Sequence, residues 1–348
     1  MPVVPTALER VVLLGLNRGP GATLDLVGAA GARAVATAID LGVFEALRDG
    51  PLSLPELARA TGTDEAGLSV LVGFLDRLGY VTRHRDLVEN TPMTTRWLVA
   101  GETDVGPWLT FWNDLVFAFW DAHLETAVRE GAPPQTIYEW FDEDPERWRA
   151  AQSGFLGAAR VVVPEFVRRT DLGSAHHLLD VGGGHGLFAA AFCRAHPGLR
   201  ATVFDRVPAL DLAREVAAAV GVSDRVQSRE GDYFRDDLGS GYDVALVCNV
   251  LHAHTADENR RLLARVADAI ALDGEVVVLD QFGGSAPTSL GQTALAFEDL
   301  NYLVTLGGHT HDAADVSEWL TDAGFGPPAR TDLRTVPGVS VLRARRAA

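Results

Sequence analysis

The run His177-Leu-Leu-Asp-Val-Gly-Gly-Gly-His-Gly-Leu-Phe188 sets a glycine bend between a strand-like and a helix-like segment. Backbone at such a bend can approach a ligand that a Cβ would exclude. Gly182, Gly184 and Gly186 do not complete the dinucleotide fingerprint, because Leu187 stands where a third glycine or alanine is needed. Asp180 argues the same way: a carboxylate at the strand end would face a dinucleotide's pyrophosphate. Asp205 ends the next apolar run, at the interval where an acid accepts hydrogen bonds from ribose hydroxyls. Gly231-Asp232-Tyr233-Phe234 follows the third run, with a carboxylate able to accept from an adenine amino group and rings able to pack on the purine.

Any one of these acids is more often a solvated loop residue or a helix cap. Acids at successive strand ends, on the carboxyl edge where open α/β sheets bind ligands, suit a phosphate-free, positively charged nucleoside. S-adenosylmethionine carries a sulfonium and an ammonium, and is the cofactor expected, with S-adenosylhomocysteine as product. Arg206, Cys248 and Asn249, also at strand ends, join the expected binding set.

After the run Asp243–Cys248 comes Asn249-Val-Leu-His-Ala-His-Thr-Ala-Asp-Glu258, in which Thr255 and Glu258 have capping-box spacing ahead of a helix carrying Leu262, Leu263, Val266 and Ile270. His252 therefore falls at the mouth of the site. A sulfonium already activates its methyl carbon, so the protein must align a nucleophile and remove one proton, work suited to an imidazole that titrates near neutrality. His252, His254, His309 and His311, with Asp280 or Asp312, are also candidate ligands for a divalent metal that would chelate a keto acid or catechol-like substrate. No tight HxxxH or carboxylate triad accompanies them, so no metal is expected and the extra histidines read as pocket walls or surface residues.

The elements that must hold these residues fall into two textures. From His176 the runs His177–Val181, Ala201–Phe204, Arg225–Ser228, Asp243–Val247 and Glu275–Leu279 alternate with helical segments, the pattern of a parallel sheet covered on both faces. Arg330–Thr335 and Val339–Arg343, joined through Pro337-Gly338, close it as an antiparallel hairpin. Upstream, Ala34, Ala38, Leu41 and Phe44–Leu47 recur at helical spacing, Ser53 and Glu56 form a capping box, and Asp64 opens a helix through Leu68, Leu71, Leu75 and Leu78. Tyr80-Val-Thr and Leu87-Val-Glu then read as a hairpin, giving a winged-helix pattern. Residues 105–170 continue as helices rich in tryptophan; such stripes are usually core, and Trp112, Phe119 and Trp120 are the pocket candidates among them. The domains expected are 1–168, helical, and 169–348, cofactor-binding.

A net charge of -17, and an acidic third helix bearing Asp64, Glu65 and Asp76, exclude nucleic acid as an expected partner. Cys193 and Cys248 belong to no ligand or disulfide pattern, and polar and Gly-Pro residues follow Val11–Leu16 at once. A reducing, cytoplasmic setting without a membrane anchor is expected.

The motifs Asp180–Gly186, Gly231–Phe234, Asn249–His252, and Gly307-Gly308 ahead of Asp322-Ala-Gly-Phe325 resemble, in order and spacing, the class I S-adenosylmethionine-dependent small-molecule O-methyltransferases of the plant caffeate and hydroxyindole type and their bacterial natural-product relatives. The resemblance covers nearly the whole chain. It implies an α/β fold, a seven-stranded, mostly parallel Rossmann-like sheet with an antiparallel C-terminal hairpin, preceded by a mainly helical winged-helix dimerisation domain, hence a homodimer. It implies methyl transfer to a hydroxyl of a small aromatic or polyketide-like metabolite, with His252 as general base and Asp280 as an acid that orients it. Thr310 falls where the family has a second acid, and Ala253 and His254 replace the usual Asp and Trp. Phe297, Asn301, Tyr302, His254 and His309 complete the expected substrate pocket. The alternatives are a metal-assisted C-methyltransferase and a cofactor-binding protein with a non-methylating activity.

Overall fold

The computed structural model describes residues 6–347 apart from 17, 285, 287 and 337. The chain divides into two compact units, the first ending at Leu115 and the second starting at Val116.

In the first unit, helices Thr23–Asp40, Leu54–Thr61 and Glu65–Arg77 pack around a small antiparallel sheet of β1 (Leu52–Ser53), β2 (Val81–His84) and β3 (Leu87–Asn90), in the order β1-β3-β2. The expected capping box is present: Ser53 N–H and Oγ both donate to Glu56 Oε2, at 2.9 and 2.5 Å. Asp64 caps the next helix by accepting from Gly67 N–H at 2.8 Å. Val35, Phe44, Leu57, Leu68, Val72, Leu75, Val81 and Val88 close its core.

The second unit is built on β4 (His177–Val181), β5 (Arg200–Asp205), β6 (Val226–Glu230), β7 (Tyr242–Cys248), β8 (Ile270–Gly283), β9 (His311–Asp312), β10 (Ala329–Asp332) and β11 (Val339–Arg345). Their order is β10-β11-β8-β7-β4-β5-β6, with β9 beside β8. Strands β6, β5, β4, β7 and β8 are parallel, whereas β11 runs antiparallel to β8 and β10 to β11. The central strands are apolar on both faces because helices cover both: Leu178, Leu179, Val181, Val203, Leu246, Val247 and Val277–Leu279 are all buried.

Two boundaries differ from the sequence reading. Strand β8 runs on past Leu279 to Gly283, so Asp280 lies inside it, held by pairing of Ser340 with Asp280 and of His311 with Phe282. The helices between Phe117 and Arg169, assigned by spacing to the N-terminal module, belong to the second unit. The Pro145–Arg169 helix lays Val162, Val163 and Phe166 on the sheet's helical layer, with the Phe166 ring edge-on to Phe188 and Phe192. Pro337 of the expected closing turn lies outside the described residues.

Strand β4 pairs with β5 on one side and β7 on the other. Chain order reverses between β4 and β7, so the loops after these two strands flank the crevice where open α/β sheets bind ligands.

Candidate functional site

On the β4 side, the glycine bend is packed too tightly for side chains. A Cβ on Gly182 would lie 2.9 Å from Val250 Cγ2, and one on Gly184 2.9 Å from Gln152 Oε1. Both have positive φ, at 66° and 46°. Beneath the bend, Asp180 is fully buried, and a Cβ on Gly183 would meet its carboxylate at 2.7 Å. Neither Asp180 oxygen has a hydrogen-bond partner among the described residues, and Gln152 Oε1 is equally orphaned. Burial pushes the Asp180 carboxyl up to about 7; the nearby Ala189 amide opposes this without forming a hydrogen bond, and the Asp205 charge adds to it.

Asp205 ends β5 and accepts from Gly184 N–H at 2.8 Å and Arg206 N–H at 2.7 Å, tying the second strand to the bend. Arg206 in turn reaches Asp142 at 3.1 Å and lies over the Trp148 ring. Asp232 accepts from Phe234 N–H at 2.8 Å, an Asx turn that sets the two aromatics edge to face. Tyr233 Oη shares a 2.7 Å hydrogen bond with His254 Nε2. Burial lowers the His254 ring to about 4, so it is neutral at physiological pH.

On the β7 side, Cys248 is buried and Asn249 leaves the strand with φ 54°, a left-handed turn that asparagine tolerates better than most residues. The short helical turn Leu251–Ala253 follows and carries His252. His252 Nδ1 hydrogen-bonds Asp280 Oδ1 at 2.7 Å. The same carboxylate accepts from Gln281 N–H at 2.9 Å and from Leu251 N–H at 3.1 Å. A carboxylate filled by donors assigns the proton to His252 Nδ1 and leaves the Nε2 lone pair free. The Tyr302 ring lies against the imidazole, and its hydroxyl donates to Gln281 Oε1 at 2.8 Å.

The remaining expected residues are distributed unevenly. Thr310 is buried but turned to Asp299, to which its N–H and Oγ1 both donate. Trp120 Nε1 donates to Asn301 Oδ1 at 3.3 Å, and its ring faces Phe297. Phe119 is a core ring packed on His123 and Trp140. Trp112 lies in the first unit, edge-on to Trp108. His309 is exposed, edge-on to His311, and His311 Nε2 is engaged by the Leu251 and His254 carbonyls. His252, His254 and His311 thus have separate partners. Among the described residues no group of three His, Cys, Asp or Glu side chains could hold a metal ion.

Residues 116–326 match the O-methyltransferase domain family and residues 26–100 the O-methyltransferase dimerisation domain family. The chain belongs to the S-adenosylmethionine-dependent O-methyltransferases. Within this family it is 29% identical over 304 residues to 3-hydroxy-5-methyl-1-naphthoate 3-O-methyltransferase of Streptomyces sahachiroi, 86% of each chain. It is 32% identical over 329 residues to the tetracenomycin polyketide synthesis 8-O-methyl transferase of Streptomyces glaucescens, 91% of this chain and 93% of that one. Human N-acetylserotonin methyltransferase in complex with SAM has the same fold, with a TM-score of 0.82, 21% identity and full coverage of both chains.

The residues at the bend fit a phosphate-free cation: the backbone is cleared of Cβ atoms and, close by, buried oxygens on Asp180 and Gln152 lack partners among the described residues. Spacing did not reveal Gln152, Tyr138 or Asp299, which come from helices without a motif. Tyr138 stands among the site's charges: burial, together with Asp205 and Asp280 and against Arg206, pushes its phenol up to about 12.

Proposed function

We propose that this O-methyltransferase moves a methyl group to a hydroxyl of a small aromatic or polyketide-like acceptor, with His252 Nε2 as general base. The observation that carries the reading is the Asp280–His252 pair at 2.7 Å on one flank of the sheet's reversal point, opposite the glycine bend. Bound S-adenosylmethionine would supply the electrophilic methyl, and Asp180, Gly182, Gly184, Gly186, Asp205, Arg206, Asp232, Tyr233, Phe234, Cys248, Asn249 and Gln152 are the residues we assign to hold it. His252 takes the acceptor's hydroxyl proton, and Asp280 fixes the tautomer and stabilises the imidazolium that forms. The naphthoate and polyketide acceptors in the relatives' names support the substrate class.

We further infer a homodimer formed through the dimerisation domain, consistent with exposed Leu26 and Val70 on the first unit, and a cytoplasmic location, consistent with two buried free cysteines. No helix among the described residues is long and apolar enough to cross a membrane.

The test is methyl-labelled S-adenosylmethionine with a panel of hydroxylated aromatics, comparing wild type with His252→Ala. Label on an acceptor oxygen that the variant forms at least about 10²-fold more slowly is expected. Cofactor binding with no label transfer would favour a non-methylating activity instead.

A further inference from the structure

Three acids, Asp280, Glu298 and Asp299, lie on the elements that flank His252, and they differ in how they are satisfied. Asp280 accepts from His252, Leu251 and Gln281. Asp299 accepts from the Thr310 amide and hydroxyl, at 2.9 and 2.7 Å. Glu298 has a single hydrogen bond among the described residues, a 3.3 Å contact from the neutral amide Asn301 Nδ2. Glu298, Asn301 and Tyr302 share one face of the Ser289–Leu306 helix by their i, i+3, i+4 spacing, and Tyr302 stacks on His252. The Asn301 amide is itself oriented, because Trp120 Nε1 donates to its oxygen, which turns its nitrogen to Glu298. The Trp120 ring lies against Phe297, the residue before Glu298.

No Arg pairs with Glu298 among the described ion pairs, although the carboxylate is half-buried. Burial raises its pKa above the usual glutamate range, the His252 charge and Asn301 oppose this, and Asp280 and Asp299 add to it. An unbalanced carboxylate among other carboxylates is costly to keep unless something that enters the pocket compensates it.

We propose that Glu298 determines specificity by receiving a protonated amine on the acceptor, so that the substrate is a hydroxylated aromatic that also bears an ammonium group. This deepens the methyl-transfer reading and rests on it for the identity of the pocket. Asp280 is filled on both oxygens by donors of the chain and Asp299 already takes two donors on Oδ1, which leaves Glu298 the least satisfied of the three. A charge-assisted hydrogen bond to a half-buried carboxylate discriminates against a neutral isostere, which would leave the carboxylate without an ionic partner.

The experiment is calorimetric titration of the full chain, saturated with S-adenosylhomocysteine, with 3-(2-aminoethyl)phenol and its N-acetyl derivative. Wild type and Glu298→Gln are compared, and a melting curve and the S-adenosylhomocysteine affinity of each serve as folding controls. Wild type is expected to bind the amine about tenfold or more tightly than the acetamide, Glu298→Gln to lose the difference, and the wild-type preference to shrink as pH falls and Glu298 protonates. A wild type that shows no such preference, including one that binds neither probe, or a preference retained by the variant, overturns the proposal. Label transfer is measured separately, so amine preference without methylation would sink the functional reading and leave this one standing.

Discussion

The imidazole of His252 and the phenol ring of Tyr302 lie face to face, centroids 4.2 Å apart and planes 6° from parallel. The stack fixes the ring plane, and the Asp280 hydrogen bond at 2.7 Å fixes rotation within it. Behind the turn, Asn259 Nδ2 and His311 Nε2 both reach the Leu251 carbonyl, at 2.9 and 3.1 Å. His252, the proposed base, is therefore held from its ring, its far nitrogen and its backbone before any ligand arrives, the preorganisation that would lower the cost of reaching the transition state.

Asp280→Asn should separate orientation from binding. An amide can donate to Nδ1, which would move the imidazole proton to Nε2 and remove the free lone pair. Turnover is expected to fall by about 10²–10⁴, the usual worth of a positioned base, with cofactor affinity nearly unchanged. Tyr302→Phe, which keeps the stack and loses only the hydroxyl bond to Gln281, should cost far less. Steady-state kinetics beside calorimetry check both, and equal losses in the two variants would contradict the tautomer argument.

Cofactor binding should take up the Asp180 titration. Burial pushes this carboxyl up to about 7, opposed by the Ala189 amide and reinforced by Asp205. A cationic ligand favours the ionised form, so binding releases a proton and affinity rises with pH through about 7, then levels. At pH 6 wild type should bind about tenfold more weakly than on the plateau. Asp180→Asn should bind more weakly on the plateau and lose this dependence, and subtracting its profile removes the ligand's own titrations. Parallel profiles for the two proteins would remove Asp180 from the binding role.

How much of this could be read in the sequence depends on where each instruction lies. The central strands are continuous apolar runs because both their faces are covered, and the capping boxes at Ser53 and Thr255 are local, so spacing suffices for both. Residues Asp280–Gly283 carry no strand pattern of their own; Val339–Ser340 and His311–Asp312, distant in sequence, extend β8 through them. An amphipathic helix announces that it packs but not on what, which is why spacing groups Pro145–Arg169 with the helices before it whereas its contacts lie in the second unit. Gln152 and Glu298 are polar helix residues that belong to no motif, distinguished only by what the fold brings near them.

The C-terminal hairpin is clamped to that helix through Glu165. Its carboxylate accepts from the Arg334 and Thr335 amides at 2.9 and 2.7 Å, the Thr335 hydroxyl at 2.6 Å, and pairs with Arg169 at 2.7 Å. Burial works to raise this carboxyl, but the combined donors hold it at about 2, below the 4.5 usual for a glutamate in an unfolded chain. Its stabilisation is thus fully present above about pH 4.5 and lost as pH falls toward 2. Glu165→Ala should cost about 3 kcal/mol at neutral pH, with a gap to wild type that narrows on acidification. Chemical denaturation at pH 7 and pH 3 reads this, and a constant gap would refute the clamp.

Gly308 tests whether the base must be held this closely. A Cβ there would lie 2.9 Å from the His252 carbonyl oxygen, and because the obstacle is backbone it cannot swing aside. Gly308→Ala should therefore push the Leu251–Ala253 turn and tilt His252 off its acceptor, where a misplacement near 1 Å can cost about 10²-fold in rate. Cys248 and Asn249 ahead of the turn are assigned to the cofactor, but the glycine bend after β4 lies on another strand, so S-adenosylhomocysteine affinity should fall by less than tenfold, about 1.4 kcal/mol, and by less than the rate. Gly28→Ala, where an added Cβ meets nothing within 4 Å, is the control and should leave both quantities unaltered. If Gly308→Ala turns over at the wild-type rate, the turn has slack and its many restraints are not what sets the base.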